Sequence, residues 1–112
     1  MNPEQQRIAI AEACGWTECR LIKSYDGEQV PYGVAPNESP ILKETPDYLY
    51  DLNAMHEAEE VLFARGWEWQ VRYYDRLCAM SGCSNSGVHT LTLTAAQRAE
   101  AFLKTIGEWA DA

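Results

Sequence analysis

The turn His56-Glu57-Ala58-Glu59-Glu60 is the part of this sequence nearest to a known chemical pattern. A helical zinc site needs two imidazoles one turn apart, with a carboxylate between them to act as base. One turn after His56 stands Glu60, so the second imidazole is missing. The other histidine, His89, falls in a segment that reads as a strand. His56 borders an apolar helical stripe, about 100° of rotation from Met55, where a half-exposed histidine is common. The turn therefore reads as structural, with Glu60 as the (i, i+4) partner of His56. A small hydrolase or metal enzyme built on His56, Glu57 and Glu60 is its rival.

Covalent catalysis has less to build on. The chain has no Gly-x-Ser-x-Gly elbow, and no cysteine has a histidine at a spacing that suggests a pair. Residues 81–87, Ser-Gly-Cys-Ser-Asn-Ser-Gly, lack the lysine and the spacing of a phosphate-binding loop and read as a connection. Cys14 with Cys19, and Cys78 with Cys83, make two C-x4-C pairs. Zinc-binding pairs usually sit on tight knuckles, whereas Cys14 and Cys78 end apolar helical stripes. Buried reduced thiols are the expectation, with no metal, no cofactor and no catalytic residue.

The segment from Trp67 to Met80 carries the most suggestive side chains. With Trp67, Val71, Tyr74 and Cys78 packed toward the core, Trp69, Arg72 and Arg76 project from the opposite side, and Tyr73 and Met80 lie on the flank. Two arginines one turn apart beside aromatic rings can pair a phosphate and stack a base. The same residue types anchor protein interfaces. On a plain solvated face, Asp75 and Glu68 would neutralise the arginines. Trp69, Arg72, Tyr73 and Arg76 are the candidate ligand-binding residues.

Four helices are expected to carry these groups. Asn2-Pro3-Glu4-Gln5 offers a cap, a proline at the first helical position and a reciprocal glutamine, and predicts a helix over 3–14 that stops at Gly15. Thr45-Pro46-Asp47 repeats the cap-then-proline order and predicts a helix from 46 to about 64, with Tyr48, Leu52, Met55, Ala58 and Leu62 as its stripe. A third helix covers 67–80. Thr94-Ala95-Ala96-Gln97 is a capping box that opens a fourth over 95–110, with Ala99, Phe102, Leu103, Ile106 and Trp109 on one face. Strands are predicted over 17–25 and 29–34 around the turn residues Asp26-Gly27, and over 88–93. Pro31 would confine the second strand to a sheet edge, and 35–44 reads as a loop. The pattern is an α+β domain with a small, largely antiparallel sheet.

The 112 residues suit one domain, 1–112. A hydrophobic share of 46% and a charged share of 23% suit a folded globular chain rather than a disordered one. No apolar run approaches the ~18 residues that span a bilayer, and the first residues lack the basic and apolar regions of a signal peptide. The expectation is a cytoplasmic protein with no membrane partner. A formal charge of -8 repels a phosphate backbone, which argues against DNA or RNA as a partner.

Three blocks, MNPEQQRIAIAEACGW, PDYLYDLNAMHEAEEVL and TAAQRAEAFLKTIGEW, together resemble the phage ABA-sandwich domain, a family of small bacteriophage and prophage proteins. The resemblance implies a three-layer α/β/α sandwich and a phage-encoded protein acting in the host bacterial cytoplasm. It implies no catalytic residues. Phage genes of this size often encode accessory proteins, among them oligomeric sponges that sequester nucleotide-derived immune signals. The expectation is thus a non-enzymatic homo-oligomer that binds a nucleotide-like small molecule through Trp69, Arg72, Tyr73 and Arg76. The alternative is an acidic inhibitor or adaptor that engages a host protein.

Overall fold

A computed structural model describes residues 1–81 and 93–109. The helix α1, Pro3–Ala13, begins where the sequence places it: Asn2 Oδ1 accepts from the Gln5 backbone N–H at 2.8 Å, and Gln5 Oε1 accepts from the Asn2 N–H at 3.1 Å. Gly15 has φ of +97°, and a Cβ there would stand 3.3 Å from Pro36. Both facts suit glycine as the residue that turns the chain into the sheet.

Among the described residues three antiparallel strands follow in the order β1-β2-β3: β1 Thr17–Lys23, β2 Gln29–Val34 and β3 Leu42–Glu44. The β1–β2 hairpin turns at Asp26-Gly27 as predicted, with Gly27 at φ of +91° and Asp26 Oδ1 accepting from the Glu28 N–H. Two expectations are corrected. Part of the predicted loop over 35–44 is the strand β3, and it pairs with Tyr32, Gly33 and Val34. Pro31 therefore lies in the central strand rather than at an edge.

A neighbouring side chain makes that position tolerable. The Pro31 carbonyl accepts from the Thr45 N–H at 3.1 Å. In an antiparallel pair the reciprocal bond would run from residue 31 to the Thr45 carbonyl, and proline has no N–H to donate. Arg7 on α1 supplies the donor instead: its Nη2 reaches Thr45 O at 2.6 Å, and its Nε reaches Pro46 O at 3.3 Å.

The same arrangement displaces the next helix start. Thr45 is engaged by the sheet, the chain makes one turn over 47–51, and α2 runs Leu52–Phe63. Asp51 is its cap, accepting from the Asn53 N–H at 3.0 Å. The helix α3 is Trp67–Ser81, and α4 is Ala95–Ile106. Thr94 and Gln97 form the predicted capping box on α4, and Gly107 at φ of +80° ends it short of 110. The predicted strand over 88–93 lies outside the described residues except for Leu93, as do His89 and Cys83.

Among the described residues, four helices and a small antiparallel sheet make the α+β fold that the sequence predicts. α1 lies against β1 and β2, and α4 packs on α1, α2 and α3. The core is Ile10, Met55, Ala58, Leu62, Tyr73, Leu77, Ala99, Phe102 and Leu103, all essentially inaccessible. Among the described residues no helix is long and apolar enough to cross a membrane.

On α3 the inward face differs from the predicted one. Trp67, Val71 and Tyr74 are exposed and Cys78 is half-buried, while Tyr73 and Leu77 fill the core. The helix carries two overlapping apolar lines, 67-71-74-78 and 69-73-77-80, and spacing alone does not choose between them. The choice falls to Tyr73, whose ring meets Phe102 edge-on at 6.4 Å and whose hydroxyl finds a buried acceptor.

Candidate functional site

Of the four candidate ligand residues, Tyr73 lies in the core, while Trp69, Arg72 and Arg76 lie along one shoulder of α3. Tyr73 has no exposed surface, so it cannot stack on a ligand. Trp69 is half-buried, and two guanidinium groups stand over its ring, Arg65 at 5.4 Å and Arg72 at 5.5 Å from the centroid. Both cations attract the ring through cation–π interaction. Trp69 thereby orients Arg72.

Arg72 and Arg76 line an open groove of about 440 Å³ between α3 and α4, together with Asp75, Ala79 and Thr105. Asp75 and Glu68 were the expected neutralising partners on a solvated face. Among the described residues no carboxylate lies within 4.0 Å of either guanidinium, so both keep their full donor sets. The Thr105 hydroxyl is committed, donating to the Ala101 carbonyl at 2.7 Å, so it forms wall rather than donor. The groove can pair an anion through two planar guanidinium forks.

A second cluster, buried behind α3, escaped the sequence reading. Glu59 on α2 and Arg98 on α4 are both buried, with Arg98 Nη1 donating to Glu59 Oε2 at 2.8 Å. The Tyr73 hydroxyl donates to the same oxygen. The other carboxylate oxygen, Oε1, lies 2.7 Å from His56 Nδ1. His56 is half-exposed, as expected, but its partner is Glu59 at (i, i+3) and not Glu60. A buried carboxylate is tolerated only when paired and fully hydrogen-bonded, and here three side chains share that task.

The signal for this cluster was in the sequence. Glu59 falls on the inward face of α2 beside Met55, Ala58 and Leu62, and Arg98 falls one turn before Phe102 on α4. Opposite charges on the apolar faces of two helices mark a buried pair. The cluster joins α2, α3 and α4 and fixes the His56 ring. Among the described residues, no three His, Cys, Asp or Glu side chains are grouped to hold a metal ion.

Cys14 and Cys19 are free thiols. Burial pushes the Cys14 thiol up to about 11, against a hydrogen bond from Tyr48 that works the other way. Burial also raises Cys19, assisted by the nearby Glu12 charge. Both are protonated, weakly nucleophilic thiols at neutral pH.

Compared with known proteins, the chain matches no family model, no curated protein and no solved structure.

Proposed function

We propose that this protein is a non-enzymatic accessory protein of phage type that works as a homo-oligomer. It binds and sequesters a phosphorylated, nucleotide-derived signal. The observation that carries the reading is the pair Arg72 and Arg76, one turn apart on an open groove, with no carboxylate within ion-pair distance among the described residues. With Tyr73 in the core and Trp69 held by two arginines, recognition runs through the ligand's phosphates rather than through base stacking. The local charge of the groove offsets the formal charge of -8, which would otherwise repel such a ligand.

The test is native mass spectrometry of gently purified protein, followed by calorimetric titration with cyclic dinucleotides and nucleoside diphosphates. The expected result is a defined oligomer that binds one of these classes and releases it intact on denaturation. Replacing Arg72 and Arg76 with Ala should weaken binding by at least about a hundredfold, since charge-assisted contacts to phosphate contribute ~1.5–3 kcal/mol each. Unchanged affinity in that variant rejects the site, and a hydrolysed ligand rejects sequestration.

A further inference from the structure

The outer side of α3 carries an uncovered apolar seam. Trp67 is 72% exposed, Val71 48% and Tyr74 41%. Their spacing of four and three puts them on one line along the helix, the narrow stripe that a helix presents to another helix lying along it. α3 meets its own core through a different line, Tyr73 and Leu77, so the seam is additional to the packing of the fold. Tyr74 stacks on Phe63 with ring centroids 5.7 Å apart, which carries the apolar surface onto the end of α2.

One edge of the seam is acidic. Glu68 follows Trp67 and Asp75 follows Tyr74, so both carboxylates lie to the same side of the line, while Arg72 between them carries its guanidinium to the Trp69 ring, 5.5 Å from its centroid. Both residues are exposed, and neither carboxylate has a Lys, Arg or His within 4.0 Å among the described residues. The chain as a whole carries -8. In the antiparallel twofold pairing of two copies these acidic edges would face each other, and like charges at that position oppose association. A partner with the opposite charge fits better.

We infer that this seam docks a basic amphipathic helix from a partner protein. The helix presents apolar side chains at a three-and-four spacing along Trp67, Val71 and Tyr74, with Lys or Arg beside them facing Glu68 and Asp75. The seam meets the groove of Arg72 and Arg76 at Asp75, which borders both, and the inference does not rest on ligand binding in that groove.

The test uses labelled peptides of about 18 residues, long enough to hold a helix on the protein surface. One has Leu at three-and-four spacing with Lys elsewhere, and its counterpart has Glu in place of Lys. Fluorescence anisotropy should show the Leu/Lys peptide binding to the full chain and the Leu/Glu peptide not binding. Trp67→Ser with Val71→Ser should weaken binding at least about tenfold, as truncating interface anchors does. Glu68→Lys with Asp75→Lys, which leaves the apolar seam intact, should weaken it similarly. Equal binding of the two peptides overturns the inference, as does unchanged affinity in either double variant. It is also overturned if sedimentation shows the chain dimerising alone and Trp67→Ser with Val71→Ser returning it to monomers, because the occupant is then a second copy.

Discussion

Arg7 completes the hydrogen bonding of a strand to which it does not belong. Its guanidinium donates to the Thr45 carbonyl at 2.6 Å, in the place of the N–H that Pro31 lacks. A side chain from α1 thus ties the helix to the junction of β3 with the turn before α2. Burying a carbonyl without a donor costs more than a typical hydrogen bond contributes, so this contact outweighs its ion pair with the exposed Glu44 at 3.9 Å.

Arg7→Met should accordingly destabilise the protein by ~1–3 kcal/mol in urea denaturation. Pro31→Ala supplies an N–H that points to the same carbonyl, so the double variant should lose less than the sum of the two single variants. A coupling of ~0.5 kcal/mol or more is expected from the cycle. Strict additivity would show that Arg7 does not substitute for the proline.

The Glu59–Arg98 pair predicts an asymmetric mutational response. Removing either partner alone, as in Glu59→Leu or Arg98→Met, should cost ~3–5 kcal/mol, because the other charge is left buried. Replacing both together should cost less than either single change, since two apolar side chains need no partner. Thermal unfolding followed by tryptophan fluorescence measures all three. Tyr73→Phe should cost ~1 kcal/mol by the same readout, because Arg98 and His56 still serve the carboxylate.

Alkaline pH should unfold the protein from within. Burial lifts Cys14 from 9.0 to about 11. It also lifts Tyr48, and with the adjacent Glu59 charge it lifts Tyr73, both above the ordinary 10.0. Each group is held neutral in the fold and ionises more readily when unfolded, so the unfolded state loses protons first. The stability these groups contribute is intact below pH 9 and declines as pH rises toward 11 and beyond. Urea midpoints measured from pH 8 to 11 should fall across that window, and Cys14→Ala should flatten the part between 9 and 11. A midpoint independent of pH would contradict the burial of these groups.

What could be read from the sequence was local. The capping boxes of α1 and α4 involve residues three apart, so Asn2 with Gln5 and Thr94 with Gln97 needed no tertiary context. The β1–β2 hairpin was likewise legible from Asp26-Gly27, because the turn residues alone impose its geometry. The half-exposed position of His56 followed from helical rotation.

The rest depended on partners distant in the chain. Thr45-Pro46 has the wording of a helix start, yet β2 and Arg7 claim the Thr45 backbone first, so α2 opens at Asp51. β3 exists because β2 offers it an edge, and Pro31 survives at the centre of the sheet because Arg7 lies 24 residues away in sequence and 2.6 Å from Thr45 in space. The two apolar lines of α3 are equivalent to a helix in isolation. Only the meeting of Tyr73 with Phe102 and Glu59 decides which line is buried, and so leaves Trp67, Val71 and Tyr74 at the surface. Helix caps and tight turns are settled within a few residues, whereas the burial of a charge or the choice of a face is settled by whatever lies opposite, and that is supplied by the fold.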